Sequence, residues 1–434
     1  MNIKKLALFH DLSWTFISQL ISNMLSFLTI FFVVRCYSQE EFGLWASITS
    51  LAAVLVTGDF GLTNVLRNIA SKGLTEGQQG EMYTKEAWFS TVFFLSIFAL
   101  AGLLVLILFK DSTFFEILFK TDNEQLKVLG KGIVIMVIGL FLIRLPLGLS
   151  GGLFLSYGEI REGAIFSIIG SSLTFIVVVS LSLSHLRIDY VSVSFFICPL
   201  LVQIVSTCYF LSRRKWGHFR IKPKVMLAHL KLMLPTGFEF LGISFAGHLI
   251  PNALTLYSGA MLGLSFAANI NVAVKIFNFF SAIMIGLLNP LWARLSRHFY
   301  NGEFLICRRI LRFNLFGMMG ASILILLCVS VFRELLVSII AGDGYEADML
   351  VFVLVGTCLF GKAISDSASL LLYATNHLRT MFIGYMAFSL VALFVFPEIV
   401  GIYGFNSMMG TMIICWLLFI GLVLVSTKRL LKNE

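Results

Sequence analysis

The chain has 434 residues, of which 58% are hydrophobic and 13% charged, and its mean hydropathy is +0.93. Soluble globular domains carry about 25% charged residues, so this composition excludes a water-soluble domain and describes a protein of the bilayer. A formal charge of +9 does not point to nucleic acid, because the Lys and Arg residues lie in short loops between apolar runs, where membrane topology already requires them.

Met1-Asn-Ile-Lys-Lys leads into a first apolar run near Leu12 with no small-residue cleavage site, which reads as an uncleaved signal-anchor. About 20 apolar residues are needed to cross ~30 Å of hydrocarbon. Twelve spans are predicted, at residues 12–34, 44–66, 88–109, 132–155, 163–184, 191–211, 232–255, 264–289, 313–332, 349–374, 381–397 and 408–426. Pro397 and the glycines at 401, 404 and 410 blur the junction between the last two. Of the loop Lys and Arg residues, 22 fall on the N-terminal side of the membrane and 7 on the other. The positive-inside rule then places both termini in the cytoplasm. Seven cysteines are scattered, without CxxC or zinc spacing, and read as small buried hydrophobes. No metal and no cofactor is expected.

The basic stretch 212–231, with seven Lys and Arg and no acidic residue, separates an N-terminal six-span lobe (1–211) from a C-terminal one (232–434). It reads as a cytoplasmic linker resting on anionic headgroups. The halves echo each other: Tyr37-Ser38, four residues, Gly43-Leu44 recurs as Tyr257-Ser258, four residues, Gly263-Leu264, at an offset of 220. An even number of spans per half gives the repeats one orientation, with their axis along the membrane normal. The predicted fold is therefore an all-α integral membrane protein, about twelve transmembrane helices in two six-helix lobes around a central cavity.

Three cations lie inside spans. Lys275 is the only formally charged residue between Phe240 and Ala293, Arg144 stands alone between Lys131 and Glu159, and Lys362 has Asp366 for company. A charge at a helix centre costs about 2.5–3.5 kcal/mol even on permissive insertion scales, so such residues face a protein interior or water and mark a pathway. Helical spacing groups polar residues into stripes: Asn271, Lys275 and Asn278; Lys362, Asp366, Ser369 and Tyr373; Gln19, Ser22, Asn23 and Ser26; Asp59, Thr63 and Arg67. The bland alternatives are a neutral Lys362–Asp366 pair, Glu239 as partner of Lys275, and Ser and Asn side chains that only join helices. Glu239 and His248 are nine residues apart, on opposite faces of a straight helix. Pro235, Gly242, Gly247 and Pro251 make a break between them plausible.

The opening of the chain reads Ser18-Gln19 and Asn23, then Glu40-Glu41-Phe42-Gly43, then Gly58-Asp59-Phe60-Gly61-Leu62 leading to Arg67. Together with the 6 + 6 arrangement and basic linker, it resembles the MOP exporter superfamily. The likeness is greatest to the Wzx-type polysaccharide repeat-unit (O-antigen) flippases, relatives of the lipid II flippases. The resemblance implies a MATE-like, multi-pass protein of the bacterial inner membrane. It would move undecaprenyl-diphosphate-linked oligosaccharides from the cytoplasmic to the periplasmic leaflet for lipopolysaccharide or capsule biosynthesis. Its partners would be that substrate, membrane lipids, and the polysaccharide polymerase and chain-length proteins.

For such a substrate, Arg144, Lys275 and Lys362 would receive the diphosphate or acidic sugars, and Asn271, Asn278, Gln19 and Asn23 the sugar hydroxyls. Asp366, Glu239 and Asp59 are the candidates for ion coupling. A proton- or sodium-coupled multidrug exporter of the same superfamily is the nearest alternative, although span one holds no carboxylate. A multispan polymerase or ligase would need a large periplasmic loop with catalytic Arg and His, which is missing. No P-loop is present for ATP hydrolysis.

Overall fold

The computed structural model describes residues 3–55, 58–73, 77–110, 112, 121, 123–217, 222–286, 288, 291, 295, 298–299, 302–342, 345, 348–375 and 377–433. In chain order the helices are α1 (Ile3–Cys36), α2 (Gln39–Leu55), α3 (Leu62–Gly73), α4 (Gln78–Leu108), α5 (Glu124–Leu147), α6 (Leu149–Ser156), α7 (Ile160–Leu183) and α8 (Ile188–Arg213). Then come α9 (Pro223–Tyr257), α10 (Leu264–Gly286), α11 (Phe304–Val331), α12 (Arg333–Ile340), α13 (Met349–Ala374), α14 (Arg379–Leu390), α15 (Phe396–Tyr403) and α16 (Phe405–Asn433). Two π-helical turns, Ser258–Leu262 and Val391–Val395, complete the elements among the described residues. In hydrocarbon every backbone polar group must be satisfied internally, which is why apolar runs of this length become helices. Polar ends are closed by side chains: Asn123 accepts from the amides of Gln125 and Leu126 at the start of α5, and Asp348 from Leu350 at the start of α13.

Ten stretches among the described residues are long and apolar enough to cross a membrane. They match ten of the twelve predicted spans, with shifted ends. The predicted span 44–66 is instead two helices, α2 and α3, with a turn at Gly58–Gly61 between them. Phe60 (φ 55°) and Gly61 (φ 66°) adopt left-handed backbone there, and the Asp59 carboxylate accepts the amides of Gly61 (3.0 Å) and Thr63 (3.3 Å). The predicted span 232–255 lies within α9, a continuous 35-residue helix about 52 Å long at 1.5 Å per residue. The break expected at its prolines and glycines does not occur. Prolines are tolerated in membrane helices where neighbouring groups take up the freed carbonyls. At the other uncertain junction, the helical stretch continues through Pro397 to Tyr403 and stops at Gly404 (φ 84°).

The chain divides into two compact units: Met1–Val33, Ala52–Ile117 and Asn123–Phe245 form the first; Val34–Leu51, Leu118–Asp122 and Ala246–Glu434 form the second. Most of α2 thus belongs to the second unit and the first two-thirds of α9 to the first.

The first unit is built on α3 to α8. Trp88, Leu149, Leu153, Phe154, Phe210, Trp216 and Met233 form a buried core, each under a tenth exposed. Several hydroxyls are satisfied within their own helices, as Thr84, Thr91, Thr174, Ser182 and Ser192 donate to the carbonyl four residues back. Helices approach closely at glycine: a Cβ on Gly61 would lie 2.4 Å from the Gly237 carbonyl oxygen.

In the second unit α13 is the central helix, buried along most of its length and packed by α10, α11 and α16. Phe277 of α10 meets Phe352 and Phe360 of α13 edge-on or tilted. Trp416 of α16 stands against Phe388 of α14 at 4.8 Å. The two repeat segments meet here. Gly43 faces Leu264 so closely that a Cβ would sit 1.9 Å from its carbonyl oxygen, and Gln39 donates to Asn269 at 2.8 Å.

Candidate functional site

The second unit holds two of the three intramembrane cations, on helices that pack against each other. On α13, one helical turn brings Lys362 Nζ to within 2.7 Å of Asp366 Oδ2. The two side chains are 24% and 16% exposed. From α14, the hydroxyl of the buried Tyr385 donates to Asp366 Oδ1 at 3.3 Å. Both carboxylate oxygens are therefore engaged, and the reading in which Lys362 and Asp366 neutralise each other holds as geometry. Removing ions from water costs several kcal/mol each, which an ion pair repays only with additional hydrogen bonds; the Tyr385 hydroxyl supplies one.

Lys275 on α10 differs. Its side chain is half-buried and makes no hydrogen bond or ion pair among the described residues. One turn earlier, Asn271 is fully buried; its amide nitrogen donates to Thr255 at 3.4 Å, while its Oδ1 is without a partner. Asn278, the third residue of this stripe, is exposed. The stripe thus places an unneutralised ammonium and an unsatisfied amide oxygen on successive turns. Glu239, the bland alternative as its partner, lies on α9 within the first unit, exposed and without an ion pair among the described residues.

The first unit holds Arg144, near the end of α5. Its Nε donates to Gln203 Oε1 of α8 at 2.8 Å, so its guanidinium is oriented by a neutral amide. Gln203 was not flagged by sequence; the only signal was a lone amide in an apolar span 59 residues away. Asp59 caps the turn before α3, as described above. Gln19 is exposed and Asn23 half-buried on α1, where Ser22 is 3.4 Å from Ser167 of α7. His248 is exposed on the part of α9 that belongs to the second unit.

The basic linker also finds acidic partners that its own sequence lacks. Arg214 bridges Glu159 at 2.8 Å and stacks over Tyr157 at 3.5 Å. Arg213 reaches Glu162 at 3.1 Å. Trp216 is buried against Phe210 (5.6 Å) and Trp88 (6.1 Å). Burial pushes the Tyr157 phenol above its ordinary range, although the nearby Arg214 pulls it down. This part of the linker is bound into the first unit, while Lys215, Lys222, Lys224 and Lys231 are exposed and free to meet headgroups.

No family model and no curated protein matches the sequence. Solved structures do. The chain is similar to an inward-facing multidrug resistance MATE family transporter of the MOP superfamily (TM-score 0.73, 11% identity, 95% of each chain covered). It is similar to the lipid II flippase MurJ in an inward closed conformation (TM-score 0.68, 15% identity, 95% of this chain and 87% of that one). It is also similar to a MOP superfamily transporter from Pyrococcus furiosus described by the reverse polarity of its binding pocket (TM-score 0.63, 12% identity, 98% and 96% covered). At these identities the likeness is one of fold, and the fold of this chain is that of the MATE-like MOP superfamily transporters.

Proposed function

We propose that the protein is a flippase for a lipid-linked anionic headgroup. In the form that the sequence resemblance implies, it carries an undecaprenyl-diphosphate-linked oligosaccharide from the cytoplasmic to the periplasmic leaflet of a bacterial inner membrane, with both termini in the cytoplasm. The observation that carries this reading is Lys275: a half-buried ammonium in a 23-residue apolar helix, with no carboxylate against it among the described residues. A charge that costs about 2.5–3.5 kcal/mol at mid-membrane and is not neutralised among the described residues is explained by a ligand that neutralises it. Arg144, held by an amide and by no acid among the described residues, has the same character. A diphosphate would satisfy either cation through charge-assisted hydrogen bonds, and the fold likeness to a lipid II flippase supports a lipid-linked substrate. Asn271, Asn278, Gln19 and Asn23 would meet sugar hydroxyls.

Complementation tests the reading. Lys275→Ala and Arg144→Ala proteins that reach wild-type membrane levels should fail to support surface polysaccharide; normal polysaccharide from both would remove the substrate role assigned to them. The likeness to the multidrug transporter favours a second reading, cation-coupled drug export. Substrate-selective drug efflux from proteoliposomes would support that one instead.

A further inference from the structure

The Lys362–Asp366 pair is an unusual way to place a substrate cation, because the carboxylate that neutralises Lys362 also repels the phosphate it would receive. Three observations argue against a purely structural pair. The order is unfavourable, since an acid N-terminal to a base is the better arrangement at i,i+4, and here the base comes first. The pair lies 24% and 16% exposed in an apolar helix, where apolar residues of similar volume are often as stable or more so. The neighbouring α10 carries its own cation, Lys275, without any acid. Nor does the geometry suit an exchangeable metal cation: Lys362 Nζ occupies Asp366 Oδ2 at 2.7 Å, and the Tyr385 hydroxyl occupies Oδ1 at 3.3 Å.

We propose that Asp366 is a proton-operated latch on Lys362: an anionic headgroup takes over the Lys362 ammonium as a proton from solution adds to the Asp366 carboxylate. This rests on the reading of the substrate as a lipid-linked phosphate. With the carboxylate ionised, Lys362 is held by Asp366. Once it is protonated, the repulsion is gone and the ammonium is released to the phosphate. The linkage is reciprocal, so phosphate binding favours proton binding by the same factor. Headgroup and proton therefore load together, and one fewer net charge is carried through the membrane per cycle. The groups around Asp366 are few. Its own helix contributes Lys362 and Tyr373, and α14 contributes Tyr385. Of the helices packed on α13, α10 brings Lys275, α11 brings Arg308, Arg309 and Arg312 in its first turns and Cys307 and Cys328, and α16 brings Cys415 and, near its end, Lys428 and Arg429. None of these is a second carboxylate.

Calorimetric titration of the purified full chain with farnesyl diphosphate tests this, in two buffers of different ionisation enthalpy. Wild type should take up about one proton more per diphosphate than Asp366→Asn does. Asp366→Asn should bind at least about tenfold tighter at pH 7.5, the least gain that uptake of nearly one proton by wild type allows. Tyr385→Phe should move binding the same way by less, and Asp366→Asn combined with Lys362→Gln should lose the gain. Replacing sodium by choline should change nothing. If Asp366→Asn does not fold, Lys362→Gln provides the reference, and wild type should again exceed it by about one proton. Equal affinity and equal proton uptake in wild type and folded Asp366→Asn overturn the latch while leaving the substrate reading intact, provided Lys275→Gln still weakens binding. Sodium-dependent binding that Asp366→Asn abolishes also overturns it, in favour of a metal cation site. Absence of binding by wild type and variant alike overturns the substrate reading, and the latch with it.

Discussion

Lys275 and Asp366 are one helix contact apart in the fold but opposite in situation, one without a partner among the described residues and the other with both oxygens engaged. For Lys275 the consequence is a conflict between stability and transport. Substitution by Met removes a charge that has no partner among the described residues from an apolar helix, so Lys275→Met should raise the unfolding free energy by about 1–2 kcal/mol, below the full mid-membrane cost because the side chain is only partly buried. The same variant should lose transport. A thermal unfolding series in detergent reads the first part; destabilisation would mean that the lysine has a structural role. The sequence made the three cations visible because apolar context isolates them. It did not reveal their partners, Gln203 for Arg144 and Tyr385 for Asp366, since each comes from another helix and no local spacing encodes it. It also suggested Glu239 for Lys275 on the ground that successive spans are neighbours, whereas Glu239 lies on the part of α9 that belongs to the first unit.

Elements were legible to the extent that they are long and apolar. Ten of the spans are continuous or nearly so, and periodicity is not needed to see them. The two that differ do so for local reasons. At Gly58–Gly61 the backbone turns left-handed and Asp59 closes the start of α3, so hydropathy alone joins what the turn divides. In α9 the reverse occurs: Pro235 and Pro251 look like breaks but the helix runs on. Glycine contacts give sharp expectations here. Gly43→Val would drive a side chain into the Leu264 backbone, where even a Cβ lies at 1.9 Å; it should cost at least about 2 kcal/mol or prevent folding. By contrast Gly132 is exposed on α5 with nothing within 4 Å of an added Cβ, and Gly132→Ala should stabilise by roughly 0.5–1 kcal/mol. Denaturation midpoints of the two variants decide both. In the linker, Trp216→Ala empties a site against Trp88 and Phe210 and should cost about 3–5 kcal/mol, whereas a linker lying only on headgroups would lose little.

For the whole molecule, composition was enough to identify the solvent and the loop charges to propose an orientation. The repeat at an offset of 220 was legible as a faint motif, and its two copies, Gly43 and Leu264 with their neighbours, pack on one another in the second unit. Most of α2 packs within the second unit, which a hydropathy profile does not record because it carries no information on which helices pack together. The site was legible only as residues. Its proposed character, cations left for a ligand, rests on the observation that no carboxylate meets Lys275 or Arg144 among the described residues. The most direct test is a flipping assay with purified protein in liposomes, following an undecaprenyl-diphosphate-linked oligosaccharide from one leaflet to the other. Wild type should accelerate its movement, and Lys275→Gln and Arg144→Gln should each slow it at least about tenfold, the loss of roughly one charge-assisted contact of 1.4 kcal/mol or more. Undiminished flipping by both folded variants would contradict the account.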